Sequence, residues 1–371
     1  MTGLLVVVLV VAGVLVLGRR TGDRTATPTP SASSGSTGSG DPVRAGQAFL
    51  TGWVDPDGRV VRRDQGGDTV SEGQAYAMLV AAGLDDRDTF ARVWSWTRSH
   101  LLRRDGTLSW RWDDGQVVDR SSAADADLDA ARALVLAGHR FGDASLTAAG
   151  VALGRAVLDT ETVSTRAGLV LVAGNWATTP DDDRYAYNPS YASPAAYAVL
   201  ATASGDQRWE ALLTGSRAAT AAATVGGLPA DWAVIGSDGA VTATAGPAGR
   251  GSDGVRYSYD AARLPIRYAE ACEPADRRLA AALTDRLASP PTGTAALDRD
   301  GRPVTANRSP VAAVGRAAAE AAAGDRQAAR DALDVADQVQ ATTPTYYGAA
   351  WVALGRLMLQ TDDLGGCPPL R

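Results

Sequence analysis

The sequence predicts an all-α domain built as an (α/α)6 six-hairpin barrel, with a few short strands in its loops. Three observations carry this. Twelve segments repeat apolar residues at helical spacing, the links between them alternate between short turns and long loops, and strand-like pieces are few. Short links between amphipathic helices make antiparallel hairpins, and six hairpins in succession are what such a toroid requires.

The helical patterns fall in order at 44–52, 71–83, 88–102, 123–140, 143–159, 190–204, 206–223, 257–272, 275–289, 308–323, 325–339 and 344–361. The second, within TVSEGQAYAMLVAAG, carries an apolar stripe through Ala75, Met78, Leu79 and Ala82. Ser71 stands where an N-cap belongs, and Gln74 three residues on would close a capping box. LDDRD (84–88) turns this helix into the third, and FGD (141–143) joins the fourth to the fifth. The strand-like pieces are GRVV (58–61), GLVLVAG (168–174) and VTATA (241–245). Long loops on one rim are where chemistry gathers.

Composition narrows the class. The chain has 371 residues, 45% of them hydrophobic, and a net charge of −6 with no lysine. No basic run follows Arg19 and Arg20, so nucleic acid, which needs a concentrated positive face, is not an expected partner. Nine Trp and ten Tyr stand against three Phe, an excess of polar-edged rings suited to binding something flat. Residues 1–20 hold an apolar run over 3–18 that reads as a membrane anchor or signal, with an uncleaved anchor favoured. Residues 21–41 read as a flexible Ser/Thr/Pro/Gly-rich linker, and 42–371 as the single folded domain. Cys272 and Cys367 lack CxxC spacing, and either a bridge or two free thiols fits them.

Several motifs point away from cofactors. GRGSDG (249–254) matches GxGxxG, but the helix after it runs into another helix and not into a strand ending in an acid. With only His100 and His139 present, a zinc site or Ser-His triad is poorly supplied. Asp125, Asp127 and Asp129 have calcium-loop spacing, yet Ala130 and Leu136 stand where that loop needs Gly and Glu. Acids in a first turn also complement the helix dipole. No metal and no cofactor are therefore expected.

Three segments remain unexplained by folding alone. Glu72 is not needed by the capping box, and Gly73 beside it weakens the turn by about 1 kcal/mol against Ala. Asp127 lies among small alanines. Asp260 precedes Arg263 by three residues and Pro265 by five, with Tyr257 and Tyr259 at the same end. Each carboxylate sits near a helix start after a long loop. Two carboxylates facing across an aromatic-lined cleft are equipment for glycoside hydrolysis.

These pieces carry a resemblance. TVSEGQAYAMLVAA, FARVWSWTRSHL, SAADADLDAARAL, YNPSYASPAAY, GLPADW and SYDAARLPIR occur in the order found in glycoside hydrolase family 8, the bacterial endoglucanase family, and span about residues 45–360. The resemblance implies an (α/α)6 barrel and an inverting endo-β-1,4-glucanase acting on cellulose-like β-glucans. It implies Glu72 as general acid, Asp260 as general base oriented by Arg263, and Asp127 as the residue binding the distorted sugar. Tyr191 and Tyr259 would stand by that sugar and the water. Trp96, Trp110, Trp112, Trp176 and Trp232 are candidates for stacking glucosyl rings, and Gly73 would let a sugar approach the backbone. Aromatic walls and nearby carboxylates should raise the Glu72 pKa, and Arg263 should push Asp260 the other way. Ile266 and the pair Ala75 and Ala77 depart from the family pattern, which bears on substrate preference. Chitosan or xylan are the alternative substrates; an unsaturated-uronide hydrolase and a non-catalytic envelope glycan-binding protein are the competing readings. The expected protein is monomeric and extracytoplasmic, touching a membrane only through its N-terminal segment.

Overall fold

Six inner helices form a closed ring: α2 (Ser71–Gly83), α4 (Ala124–Phe141), α6 (Pro194–Ser204), α8 (Arg263–Ala269), α11 (Pro310–Ala323) and α13 (Tyr346–Gln360), each touching the next and α13 returning to α2. Outside them lie α1 (Pro42–Trp53), α3 (Arg87–His100), α5 (Ala144–Thr160), α7 (Arg208–Thr224), α9 (Pro274–Ala281) with the short α10 (Thr284–Ala288), and α12 (Arg326–Thr342). The computed structural model describes residues 40–247, 251 and 254–371. The expected anchor and linker therefore lie outside the described residues, apart from Gly40 and Asp41.

Side-chain pattern decides which ring a helix joins. In α2 every residue except Glu72 is buried, as expected of a helix apolar on all sides. The outer α12 buries only one stripe, Ala329, Ala332, Leu333, Ala336 and Val339, and turns its charges to solvent. The helix spans expected from periodicity hold with two exceptions. The eighth is shorter: Tyr257 bridges to Leu297, residues 258–262 form a turn, and α8 begins at Arg263. Pro265 then falls in the first turn, where its missing N–H has no intrahelical acceptor to lose. The ninth pattern, 275–289, is broken into α9 and α10.

The inner ring is braced across its centre by three buried ion pairs. Asp125, Asp129 and Arg132 of α4 meet Arg263, Arg267 and Glu270 of α8 and its C-cap at 2.6, 2.7 and 2.7 Å. The Arg267–Asp129 and Arg132–Glu270 pairs are bidentate and fully buried. Partners advance together along both chains, so α4 and α8 run parallel and their N-termini share a rim.

Three small antiparallel sheets decorate the loops. The first joins β1 (Thr69–Val70), β2 (Arg111–Asp113) and β3 (Gln116–Asp119). The second pairs β4 (Thr162–Thr165) with β5 (Gly168–Leu171), and the third joins β6 (Arg184–Tyr187), β7 (Trp232–Gly236) and β8 (Val241–Thr244). Of the expected strands, 168–174 and 241–245 appear as β5 and β8. The piece 58–61 contributes only an isolated bridge from Val60 to Val54. Cys272 and Cys367 are joined in a disulfide that ties the C-terminal tail to the end of α8.

Candidate active site

Glu72 opens the site. The strand β1 runs straight into α2, with Val70 at the cap position and the Ser71 N–H already bonded to the Trp110 carbonyl at 2.8 Å. The expected capping box is therefore not formed. Gln74 is instead fully buried, accepting from the Val60 N–H at 2.6 Å and donating to Thr97 Oγ1 at 2.9 Å. It anchors the 58–60 loop and α3 to α2, a tertiary demand that outweighs a local cap. Gly73 has a different reason from the one expected. A Cβ there would stand 2.7 Å from the Tyr346 hydroxyl, so the glycine makes room for a protein ring.

The Glu72 carboxyl accepts from Trp110 Nε1 at 3.2 Å and from Ser71 Oγ at 3.3 Å. Burial, reinforced by the negative charge of Asp125, pushes its pKa up to about 7. The charges of Arg62 and Arg263 pull the other way.

Asp260 lies in the turn before α8. Its Oδ1 accepts from Arg263 Nη2 at 2.8 Å and its Oδ2 from Asn188 Nδ2 at 3.2 Å. The expectation that Arg263 holds its pKa low is not met in direction. Burial raises it, and Arg263 and Asn188 offset only part of that. The Asp260 side chain keeps 30% of its surface exposed.

Asp125, not Asp127, completes this group. Arg263 bonds Asp125 Oδ2 at 2.6 Å, Asp260 at 2.8 Å and the Tyr76 hydroxyl at 3.2 Å, linking the two ends of the site through one guanidinium. It also lies over the Tyr191 ring, 5.2 Å from the centroid. Two residues along a helix rotate a side chain by about 200°, so Asp127 faces away from Arg263. It is fully buried, accepts from the Leu108 N–H at 2.7 Å, and sits against Glu161. Its expected place on the sugar is not where the structure puts it.

Asp127 and Glu161 each leave one buried oxygen without a donor. Two carboxyls in contact can share a single proton. Burial and mutual repulsion hold Asp127 well above the ordinary carboxyl range, and burial takes Glu161 up to about 7. Both pKa values are raised on folding. The Glu161 contribution to stability is therefore complete below the ordinary carboxyl range and lost as pH rises through about 7, and that of Asp127 is lost in the same direction, as pH rises through its own raised value. In D127N the amide donates to Glu161, which can then ionise. We expect the Tm difference between wild type and D127N to shift in favour of the variant between pH 5 and pH 8, measured by thermal unfolding. A constant difference over that range would refute the shared proton.

The aromatic candidates separate into two groups. Trp110 stands against Glu72, Trp232 meets Tyr191 edge-on at 6.1 Å, and Trp176 is 40% exposed with Nε1 on the Ser122 carbonyl at 3.2 Å. Tyr259 is 44% exposed and edges onto Tyr347, whose hydroxyl donates to the Tyr259 carbonyl at 3.0 Å. Trp96, by contrast, is 5% exposed and stacked on His100, with Trp112 edge-on to it and under Arg59. Trp96 is thus a core residue, not a stacking platform. Tyr76, Asn188, Asp231, Tyr346 and Tyr347 belong to the site region and were not singled out in the sequence. The doublet Tyr346-Tyr347 at a helix start after a loop was a signal available there.

Two carboxyls on one rim of an (α/α)6 barrel, one raised toward neutrality and one paired with arginine, define the equipment of a glycoside hydrolase. Residues 32–361 match the family model described as glycosyl hydrolases family 8. A probable endoglucanase of Novacetimonas hansenii is 32% identical over 228 residues, covering 59% of this chain and 64% of that relative's length. The solved structure of a family 8 endoglucanase from Klebsiella pneumoniae superposes with a TM-score of 0.70 at 25% identity, covering 85% of this chain and 99% of that one. That of an endo-β-1,4-glucanase from Acetobacter xylinum gives 0.71 at 26% identity, with 85% and 97% covered. The chain belongs to glycosyl hydrolase family 8.

Proposed function

We propose that this chain is an inverting endo-β-1,4-glucanase acting on cellulose-like β-glucans, with Glu72 as general acid and Asp260 as general base. The observation that carries the reading is the Glu72–Asp125–Arg263–Asp260 group. Asp125 raises the acid while its bond to Arg263 places that cation beside the base. Glu72 protonates the glycosidic oxygen as the bond to the anomeric carbon breaks. Asp260 takes the proton of a water attacking the opposite face, and each carboxyl ends in the other's protonation state. Tyr191, Tyr259 and Arg263 border the water and sugar, and Trp110, Trp176 and Trp232 offer faces for glucosyl rings. The protein acts outside the cytoplasm, supported by the apolar N-terminal run and a disulfide.

An inverting site must hold a water between base and sugar, which sets its carboxyls roughly 6.5–9.5 Å apart. Hydrolysis of a cello-oligosaccharide followed by NMR at early times should release the α-anomer first. If the β-anomer leads, Asp260 is not the base. Reducing-sugar release from carboxymethylcellulose, chitosan and xylan, side by side, tests the substrate: release mainly from carboxymethylcellulose is expected.

A further inference from the structure

Asp260 stands outside any helix, in the turn 258–262, so no regular backbone fixes its aim. Two side chains flanking the β6–β7 pair hold this turn. Tyr187 lies opposite Ala233 in that antiparallel pair, so Asn188, just after β6, and Asp231, just before β7, emerge at the same end. Asn188 is 1% exposed, and its Oδ1 accepts from the Ser190 N–H at 3.0 Å and from Ser190 Oγ at 2.8 Å. Those two donors fix which way the amide points. Its NH2 group is therefore committed to Asp260 Oδ2 at 3.2 Å. Asp231 accepts from the Ser258 N–H at 2.8 Å, from the Ala261 N–H at 2.9 Å and from Ser258 Oγ. It thus ties down the backbone on both sides of Asp260. Gly315 of α11 leaves room for this turn, since a Cβ there would stand 2.5 Å from the Ala262 carbonyl.

We propose that Asn188 and Asp231 are positioning residues that hold the Asp260 carboxylate in line with its water, a role that rests on Asp260 being the general base. Asn188 grips the carboxylate itself, and Asp231 grips the loop that carries it. The charged and titratable groups around Asp260 are Arg263 beside it, Asp125 from α4, Asp231 from the neighbouring loop (itself influenced by Arg256), Tyr191, and Tyr347 from α13. Within that set the two braces act in opposite senses. The Asn188 hydrogen bond favours the ionised base, whereas the negative charge of Asp231 opposes it.

The test is the pH profile of kcat/KM, with kcat and KM separated, for the full chain on a soluble cello-oligosaccharide. N188A should lower kcat by on the order of tenfold to a hundredfold, as a misplacement of about 1 Å can. KM should change little, and the acidic limb should move to higher pH. D231N keeps an oxygen to accept the two N–H groups but removes the charge, so its acidic limb should move to lower pH, with a smaller loss of kcat. D231A, which also frees the turn, should lose more kcat than D231N. Acidic limbs that stay put, or that move together in both variants, overturn the proposal, as does a loss explained by a lower Tm with kcat per folded molecule unchanged. D260N run alongside separates the two ideas. If it is inactive while the limbs stay put, the braces fail and the base stands; if it is active, the assignment of the base falls first.

Discussion

Replacing Glu72 with Gln, or Asp260 with Asn, is expected to reduce hydrolysis by at least about 10²–10⁴-fold, the usual contribution of a positioned acid or base, while leaving Tm within a few degrees. Neither side chain caps a helix or fills the core, and Gln mimics the protonated form in which burial keeps Glu72. The wild-type rate should follow a bell. Glu72 must be protonated, so the alkaline limb falls near its value of about 7. Asp260 must be ionised, so the acidic limb lies above the ordinary aspartate value, because burial raises it. In E72Q any residual rate should lose the alkaline limb. A large drop in Tm with activity surviving in the folded fraction would show that a structural residue had been taken for a catalytic one.

The second large effect is expected in the ion-pair ladder. Removing Arg267 leaves Asp129 charged, fully buried and unpaired, which costs about 3–5 kcal/mol. At roughly 2–4 °C per kcal/mol for a large domain, R267A should lower Tm by on the order of 10 °C. Replacing both partners by apolar residues of similar size, as in D129L/R267M, should restore most of the loss, because no stranded charge remains. Thermal unfolding of the single and double variants decides it. A single variant within about 2 °C of wild type would mean that water or another cation compensates Asp129.

The fold was legible because its signal is repetitive. Twelve apolar stripes and short turns specify hairpins whatever the details of each helix. Glu72 and Asp260 stood out as candidates because each stands where folding gives no reason for a carboxylate. Asp125 was harder. Three aspartates at alternate positions look alike in a sequence, yet a helix sends Asp125 and Asp129 to one face and Asp127 to the other. The distinguishing pattern was present: Asp, Asp, Arg at 125, 129 and 132 mirrors Arg, Arg, Glu at 263, 267 and 270 in spacing and opposite sign. The failure of the Ser71–Gln74 capping box was not legible, because the Ser71 N–H that Gln74 would have satisfied is taken by the Trp110 carbonyl from a segment remote in sequence. The direction of the Asp260 shift was missed for a related reason: the cation is near in sequence, but the burial comes from elements far along the chain.

The barrel brings its first and last helices together. α1 lies against α13, and the Gly40 carbonyl accepts from Arg356 Nη1 at 2.8 Å across 316 positions of sequence. A chain made from its N-terminus at about 5–20 residues per second produces α1 some tens of seconds before α13 exists. During that time Phe49 lacks the Tyr346 ring it will pack against, and the arc of finished hairpins stays open. Assembly of this barrel is thus gated by its final helix. The cleft, whose walls include both Tyr76 from an early hairpin and Tyr347 from the latest, takes shape only when synthesis is nearly over.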